Sequence, residues 1–370
     1  MNSKTFCVVP FIGGCIRPAG TMHACCDSQD PGTYSFAEID EWRNSNVMIN
    51  LREELYNGIE SEHCRRCWVT QHLGGQSLRQ AYNQSLVDAN IVKQIKTIAE
   101  NNFIAENDIT FLDLKLGNLC NLKCVMCTPS SSSRILSEWK ANKDIFPLVQ
   151  EFDKDYSWPE REEFRTTIKP LLPNLKYVKF TGGEPFLNPY IEEILVNLPE
   201  DCLVHISTNL TIIDDTKIKL LQRFKDLWLT GSVDAVGELY NYIRYPGKFI
   251  DIENNLTIIL NSLPNATFSI AVTVGILTLQ DIDTTVNYFT DKNCKIQFIP
   301  IDSPAYLGIN SIPDDMSVKI IEKINRITDK SVAQYLLEIL SKRKYSDELY
   351  SMFEKYIKDI NTIRKLNFKI

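Results

Sequence analysis

Three cysteines within eight residues form the strongest chemical signal in the sequence. Cys120, Cys124 and Cys127 stand in the segment CNLKCVMC, directly after the apolar run ITFLDLKLGNL. Cysteine thiolates hold iron–sulfur clusters, and a four-iron cluster with three such ligands keeps one iron open to another molecule. A structural zinc ion is normally closed by four ligands, so it would need one more from elsewhere in the chain. The spacing favours an iron–sulfur site, with zinc as the alternative.

A glycine-rich turn follows a later apolar run. The segment FTGGEPFLNP places Gly182, Gly183 and Glu184 at the end of the predicted strand YVKFTG. Adjacent glycines let a ligand approach the backbone closely, and Glu184 could pair with a cationic group. Taken alone, the pattern is also typical of an ordinary loop.

A second set of cysteines lies near the N-terminus. Six of the eleven cysteines fall within the first 67 residues, namely Cys7, Cys15, Cys25, Cys26, Cys64 and Cys67. In a protein without a secretion signal, such clusters indicate metal or redox chemistry rather than disulfides. CRRC at 64–67, Cys7 and one cysteine of the adjacent pair would supply four ligands, which suit either an iron–sulfur cluster or zinc.

The motifs need a scaffold, and the hydrophobic pattern from about residue 108 predicts one. Apolar runs alternate with amphipathic segments, which is typical of right-handed βα units around a mainly parallel sheet. The predicted strands are 110–116, 177–182, 203–208, 227–233, 268–274 and 295–300, and the predicted helices lie near 131–141, 190–198, 215–224, 250–262 and 280–290. Six units are fewer than the eight of a closed barrel. We therefore expect an α/β fold with a partial (β/α)6 TIM-like barrel, whose active site lies at the carboxyl ends of the strands.

Three regions are predicted along the chain. Residues 1–95 form a small α+β domain that contains a hairpin around Pro18-Ala19-Gly20, and residues 108–300 form the barrel core. Residues 301–370 form a helical C-terminal extension, either packed on the barrel or acting as a lid. A charged insertion at 142–172 separates the first two βα units.

Composition narrows the function classes. The 370 residues are 44% hydrophobic and 24% charged, as in globular proteins with a large core. The net charge of −7 gives no sign of a nucleic-acid or acidic-membrane partner. The sequence has no apolar run of membrane-spanning length and no signal peptide, so a cytoplasmic protein is expected. It also lacks the fingerprint of a phosphate-binding P-loop.

Over roughly residues 108–300, the motifs resemble those of the radical S-adenosylmethionine (radical SAM) enzymes. CNLKCVMC resembles the cluster motif, and TGGEP resembles the stretch that contacts the methionine amino group of the cofactor. ISTNLT at 206–211 and GSVDAVGELYNYIRYPG at 231–247 resemble segments of the third and fourth strands. The resemblance implies further cofactor contacts at Ser207, Asn209, Ser232, Asp234 and Arg244. For Asn209 and Arg244, a purely structural role is the alternative.

The resemblance also implies an activity. Cys120, Cys124 and Cys127 would bind a [4Fe–4S] cluster whose open iron is chelated by S-adenosylmethionine (SAM). An electron from a donor such as flavodoxin or ferredoxin would then yield a 5′-deoxyadenosyl radical that takes a hydrogen atom from the substrate. An oxidoreductase-type reaction on a small molecule or peptide is expected. The alternatives are a zinc-binding structural or interaction protein and a catalytically silent scaffold.

The N-terminal region resembles the auxiliary-cluster module called twitch or SPASM-like, although that module usually follows the barrel. The resemblance implies an auxiliary [4Fe–4S] cluster with four ligands, Cys7, Cys25, Cys64 and Cys67. Cys25 is preferred to Cys26 because it takes the module's usual ligand position at the end of the hairpin strand. On a regular strand, Cys26 would point to the opposite face. This cluster would accept an electron from the substrate radical or help to hold the substrate.

Overall fold

The strands of the computed structural model agree closely with those expected from the sequence. The structure describes residues 4–30, 32–72, 76–106 and 108–368. Its strands are β1 Gly13–Ile16, β2 Met22–His23, β3 Phe111–Lys115, β4 Tyr177–Thr181, β5 Leu203–Thr208, β6 Leu227–Ser232, β7 Thr267–Val274 and β8 Lys295–Pro300. The α/β class with parallel strands is confirmed, and β3 to β8 are the six strands of the predicted partial barrel.

Helices follow these strands at the expected places. They are α1 Val9–Ile12, α2 Ile39–Arg43, α3 Asn46–Tyr56, α4 Arg65–His72, α5 Leu78–Leu86, α6 Ala89–Glu100, α7 Ser133–Ala141, α8 Tyr190–Asn197, α9 Asp215–Leu221, α10 Gly237–Ile243, α11 Phe249–Ser262, α12 Ile282–Asp291, α13 Asp314–Asn325, α14 Lys330–Ser341 and α15 Asp347–Arg364. Within the part of the chain that the structure describes, no helix is both long and apolar enough to cross a bilayer.

The chain divides into two compact units, each built from several segments. The first unit contains Met1–Leu119, Asp153–Ile206 and Lys219–Leu227. The second contains Cys120–Phe152, Ser207–Ile218 and Trp228–Ile370. The predicted domain limits at 95 and 300 stay predictions.

In the first unit, the N-terminal hairpin extends the sheet of the predicted barrel. The strand order is β2-β1-β3-β4-β5, and β1 pairs antiparallel with β2 but parallel with β3. The hairpin is therefore confirmed, and its turn uses Gly20 at φ +80°, a backbone region that glycine enters without strain. The parallel pairing of β1 with β3 was not predicted.

In the second unit, β6, β7 and β8 lie side by side in parallel. The C-terminal helix α15 buries Phe353, Ile357 and Ile360. Its Tyr356 hydroxyl donates a hydrogen bond to the Val125 carbonyl at 2.8 Å. Part of the predicted C-terminal extension therefore packs on the cysteine-rich loop, and its role as a lid stays a prediction.

The insertion at 142–172 consists of short helical turns. They are the 3-10 turns Pro147–Phe152 and Trp158–Glu160, the π turn Phe164–Ile168 and the 3-10 turn Lys169–Asn174. Trp158 is fully buried, and its indole N–H donates to the Lys115 carbonyl at 3.1 Å. This bond holds the part of the insertion around Trp158 within the first unit.

Candidate active site

The loop with Cys120, Cys124 and Cys127 lies in the second unit, where backbone hydrogen bonds hold it against the end of α10. The N–H of Lys123 donates to the Tyr245 carbonyl at 2.6 Å, and the N–H of Val125 donates to the Ile243 carbonyl at 2.8 Å. The Cys127 N–H donates to the Cys124 carbonyl at 3.0 Å. The three thiols are therefore carried by a short, fixed loop in which each is partly accessible.

Helix α7 provides a second anchor for the loop. Ser132 caps its N-terminus and donates to the Leu122 carbonyl at 2.7 Å. Farther along the helix, the Glu138 carboxylate pairs with Lys123 at 2.8 Å and with Arg364 of α15 at 2.8 Å. Burial would raise the pKa of Glu138, but the bonds from Arg364 and Lys123 lower it below its usual value. The carboxylate is thus held ionised, and it ties the cysteine loop to the last helix.

Arg244 and Asp234 form a buried ion pair beside the cysteine loop. The Arg244 Nε lies 2.7 Å and its Nη2 lies 2.6 Å from Asp234 Oδ2. The other oxygen, Asp234 Oδ1, accepts hydrogen bonds from the Thr273 N–H and hydroxyl at 2.8 Å each. The Arg244 Nη1 lies 3.9 Å from the Cys124 sulfur. A guanidinium at this distance stabilises a thiolate, because it places a buried positive charge next to the sulfur.

Burial and charge act in opposite directions on these thiols. Burial raises the pKa of Cys124 to about 11, with Arg244 opposing that effect. Burial also raises the pKa of Cys127 above its usual value. Free thiols here stay protonated, whereas metal binding releases their protons. The loop therefore suits a permanent cationic centre better than a free reactive thiol.

Replacing Arg244 by Met should destabilise the protein, because Asp234 would keep a buried charge without its partner. Removing one member of a buried ion pair costs about 3–5 kcal/mol. The midpoint of thermal unfolding should fall accordingly. Arg326→Met is the matched control, since Arg326 is 65% exposed and lies 3.9 Å from its partner Asp283. An equal fall in the unfolding midpoint for Arg244→Met and Arg326→Met would contradict a structural role for the Arg244–Asp234 pair.

Asn209 connects the end of β5 to the same loop. Its amide nitrogen donates to Asn121 Oδ1 at 2.9 Å and lies 4.0 Å from the Cys120 sulfur. Its amide oxygen accepts a bond from the Thr211 N–H at 2.9 Å. These contacts agree with the structural alternative for Asn209, and its contact with a cofactor stays a prediction. Ser207 and Ser232 occupy partly exposed positions at the ends of β5 and β6.

Gly182, Gly183 and Glu184 belong to the first unit, directly after β4. Gly182 adopts φ +109°, which favours glycine. A Cβ at Gly183 would lie 2.2 Å from the Leu119 carbonyl oxygen, and the Glu184 N–H donates to that carbonyl at 2.8 Å. Position 183 must therefore be glycine because the backbone of Leu119, the residue before Cys120, occupies the space of a side chain. From the sequence, an approaching ligand was the expected occupant of this space.

A Gly183→Ala substitution should therefore destabilise the protein where the turn after β4 contacts the Leu119 backbone. The added methyl cannot fit unless the Leu119 backbone moves, and overpacking of this kind costs about 1–3 kcal/mol. Gly237→Ala is the control, because a Cβ there meets nothing within 4 Å and only its φ of +56° is unfavourable. The midpoint of thermal unfolding should fall further for Gly183→Ala than for Gly237→Ala. The opposite order would contradict the packing argument.

The structure brings four N-terminal cysteines around one cavity in the first unit. Its wall includes Cys7, Cys25, Cys64 and Cys67, the four residues expected at an auxiliary cluster. Cys26 is absent from that wall. Instead, the charged groups that act most strongly on the pKa of Cys26 are Lys179 and Asp113. Both cysteines lie in the turn after β2, where the regular alternation of a strand does not apply.

Short elements position these four thiols. Cys7 directly precedes the chain turn into α1, and Cys25 follows β2. Cys64 ends a 3-10 turn directly before α4, and Cys67 lies in the first turn of α4. The Trp68 indole N–H donates to the Ser61 carbonyl at 2.7 Å, which holds this helix start in place.

Arg79 contributes a buried cation to the same cavity. Its Nη1 donates to the Phe6 carbonyl at 2.6 Å and its Nη2 to Gln71 Oε1 at 2.7 Å, while its Nε has no hydrogen-bond partner among the described residues. Burial raises the pKa of Cys7 to about 12, and Arg79 opposes this. Sequence reasoning missed Arg79, because no motif or regular spacing connects it to the cysteines.

Both cysteine sets fit an iron–sulfur cluster in the chemistry of their donors. Among the described residues, no group of three or more His, Cys, Asp or Glu side chains lies close enough together for one metal ion. In a four-iron cluster each thiolate binds its own iron, so the ligands need not converge on one ion. The cysteine loop, with Arg244 beside it, and the cavity with Arg79 each combine thiols with a cation that compensates the charge of thiolates.

Comparison with known proteins finds one family profile and several similar proteins. A profile described as the radical SAM superfamily matches residues 114–289. A protein of Archaeoglobus fulgidus described as "Probable GTP 3′,8-cyclase" is 21% identical over 263 residues, which cover 70% of this chain and 67% of that protein. An uncharacterised protein of Methanocaldococcus jannaschii is 27% identical over 143 residues, which cover 37% of this chain and 42% of that protein.

Two solved structures show similarity at lower identity. One is anSMEcpe with bound AdoMet, with 18% identity, a TM-score of 0.39 and coverage of 58% of each chain. The other is SuiB of Streptococcus suis bound to S-adenosylmethionine, with 14% identity, a TM-score of 0.37 and coverage of 86% of this chain and 62% of that chain. The chain thus spans about two thirds of the first curated relative and less than two thirds of the others. The stretch that matches the radical SAM profile, residues 114–289, includes Cys120, Cys124 and Cys127.

Proposed function

We propose that this chain is a radical SAM enzyme that oxidises or otherwise modifies a small molecule or peptide. The observation that carries the proposal is the loop of Cys120, Cys124 and Cys127, held by α7 and α10 inside the matched domain. When bound at this loop, a [4Fe–4S] cluster with SAM supplies a 5′-deoxyadenosyl radical after one-electron reduction. The similar protein of Archaeoglobus fulgidus is described as a probable GTP 3′,8-cyclase.

The chain's own residues would support this chemistry in distinct ways. The three thiolates hold the cluster and leave one position open. Arg244 compensates negative charge near Cys124, from which its Nη1 lies 3.9 Å away. Asn209 keeps the loop next to the end of β5 through Asn121. Backbone groups at Gly182 and Gly183, with Glu184, are proposed to bind the amino group of SAM, while Ser207, Ser232 and Asp234 are proposed to lie near its ribose or carboxylate.

We also propose that Cys7, Cys25, Cys64 and Cys67 hold an auxiliary [4Fe–4S] cluster. Their shared cavity supports this assignment, and four thiolates complete the ligand set of such a cluster. A closed cluster of this kind has no open iron, so it suits electron transfer or substrate positioning. We therefore propose an oxidoreductase-type reaction in the cytoplasm, supplied with electrons by a flavodoxin or ferredoxin.

Metal analysis together with electron paramagnetic resonance tests the proposal. Protein purified without oxygen should contain about eight irons per chain and a matching amount of sulfide. Addition of SAM to the dithionite-reduced protein should change the signal of one cluster and leave the other unchanged. Zinc without sulfide, or a signal that SAM does not alter, would contradict the proposal and favour a zinc-binding structural protein or a silent scaffold, respectively.

A further inference from the structure

Chemically active side chains form a row across the first unit. In the parallel register of β1, β3, β4 and β5, Cys15 is aligned with Asp113, Asp113 with Lys179, and Lys179 with His205. Aligned residues of neighbouring strands point to the same face, and so does a residue two positions farther along a strand. Lys115 therefore belongs to this face as well. A thiol, a carboxylate, two amines and an imidazole share one side of the sheet.

This face differs from the other side of the same strands. Parallel sheets are usually apolar on both faces. The opposite face follows that rule with fully buried apolar residues, namely Leu112, Leu114, Val178, Phe180, Val204 and Ile206. On the polar face, by contrast, Lys115, Lys179 and His205 remain partly accessible. These three side chains are therefore within reach of solvent or a ligand, whereas Cys15 and Asp113 lie buried beside them.

Only one of the two carboxylate oxygens of Asp113 has a hydrogen-bond partner among the described residues. Asp113 is completely buried, and its Oδ1 accepts a hydrogen bond from the Thr181 hydroxyl at 3.3 Å. Its Oδ2 has no hydrogen-bond partner among the described residues. A buried carboxylate oxygen without a partner is costly, so this atom lacks a donor that a ligand could supply.

The charges of the row do not balance. Burial would lower the pKa of Lys179, but the charge of Asp113 helps to raise it above its usual value. Burial would likewise lower the pKa of Lys115, and the charge of Asp113 helps to raise it. Two ammonium groups thus face one carboxylate.

The other titratable groups on this face are neutral near pH 7. Burial, followed by the charge of Lys179, lowers the pKa of His205 to about 3. Burial raises the pKa of Cys15 and of Tyr177 above their usual values. Arg17, which acts electrostatically on Cys15, adds a further positive charge at the end of β1. The row therefore carries a surplus of positive charge.

We propose that this row is a substrate subsite, in which Lys115 and Lys179 bind a carboxylate or phosphate of the substrate and Asp113 accepts a hydrogen bond from a hydroxyl or amino group next to it. This assignment rests on the proposed function, because it gives the substrate a chemical class. An anionic group would neutralise the surplus charge, and a neighbouring donor would satisfy Asp113 Oδ2. The substrate class is thus an acid that carries a hydroxyl or amino group close to its anionic group.

Calorimetric titration of the cluster-loaded protein with small anions tests this subsite. The probes are inorganic phosphate, acetate and glycolate, added without oxygen at constant ionic strength. Lys179→Met should weaken the binding of the preferred anion by about ten- to a hundredfold, as expected for a lost charge-assisted hydrogen bond. Asp113→Asn should strengthen acetate binding, because it removes a repelling charge. If phosphate binds more tightly than acetate, the substrate group is a phosphate, and the reverse order indicates a carboxylate. Glycolate should bind more tightly than acetate only while Asp113 is present, because its hydroxyl donates to Asp113.

Lys176→Met is the matched control, because Lys176 precedes β4 but is 62% exposed and pairs at the surface with Asp201. It should leave anion binding unchanged. No anion binding by the unmodified protein, equal losses at positions 176 and 179, or weaker acetate binding in Asp113→Asn would each overturn the proposal.

Thermal unfolding without added anion provides a second measurement. If the surplus positive charge serves to bind an anion and does not stabilise the fold, Lys179→Met should unfold at the same temperature as the unmodified protein or at a higher one. A clearly lower midpoint would mean that Lys179 has a structural role, which also overturns the proposal. Anion titration does not depend on SAM cleavage, so failure of the subsite and failure of the proposed function can be distinguished.

Discussion

The variant Cys120→Ala, Cys124→Ala, Cys127→Ala should form no 5′-deoxyadenosine above background and should keep about four irons per chain. The three thiols lie on one loop fixed to α7 and α10, and their loss removes every proposed protein ligand of the open cluster. The auxiliary cluster should remain, because its four cysteines line a separate cavity within the first unit. Iron analysis and chromatography of the SAM products measure both outcomes.

Cys294→Ala serves as the control for this variant. Cys294 is buried and directly precedes β8, outside both cysteine sets, so its removal should leave iron content and 5′-deoxyadenosine formation unchanged. If the triple variant kept about eight irons, or still cleaved SAM reductively, the assignment of the three cysteines would be wrong.

The second large effect is expected for Cys64→Ala together with Cys67→Ala. This variant should lose about four irons but should still form 5′-deoxyadenosine, because the core cluster keeps all three of its thiolates. Electron paramagnetic resonance should show one remaining cluster, whose signal still responds to SAM. A variant that keeps both clusters, or one that loses SAM cleavage despite an intact core cluster, would contradict the proposed division of roles.

Cys25 and Cys26 allow a sharper comparison between adjacent residues. Cys25→Ala should reduce the auxiliary cluster content, since Cys25 lies on the cavity wall with Cys7, Cys64 and Cys67. Cys26→Ala should leave it intact, because Cys26 does not line that cavity. The reverse result would assign the fourth ligand to Cys26.

The alternation of apolar runs and amphipathic segments made the core of the fold predictable. Predicted strand 203–208 coincides with β5 and predicted strand 295–300 with β8, because period-2 and period-3.6 patterns are local properties. Parallel pairing is expected because a helix connects each pair of consecutive strands, and such long crossover connections join parallel strands. The four auxiliary cysteines were expected from the resemblance to the twitch module, because the sequence alone shows only that six cysteines fall within the first 67 residues.

Other features depended on contacts that no local pattern reveals. The pairing of β1 with β3 joins residues almost a hundred positions apart, and GGCI is too short to show a strand period. Arg244 was expected to be structural or to contact cofactor, and only the fold shows it between Asp234 and Cys124. The polar row of Cys15, Asp113, Lys179 and His205 appears only when the strand register is known.

Reductive cleavage of SAM by the purified protein tests the central claim most directly. The unmodified protein, reconstituted without oxygen and reduced with dithionite, should convert SAM to methionine and 5′-deoxyadenosine in equal amounts, detected by liquid chromatography with mass spectrometry. If protein with both clusters in place yields no 5′-deoxyadenosine, the chain is not a radical SAM enzyme in function, and the role proposed for the loop of Cys120, Cys124 and Cys127 is contradicted.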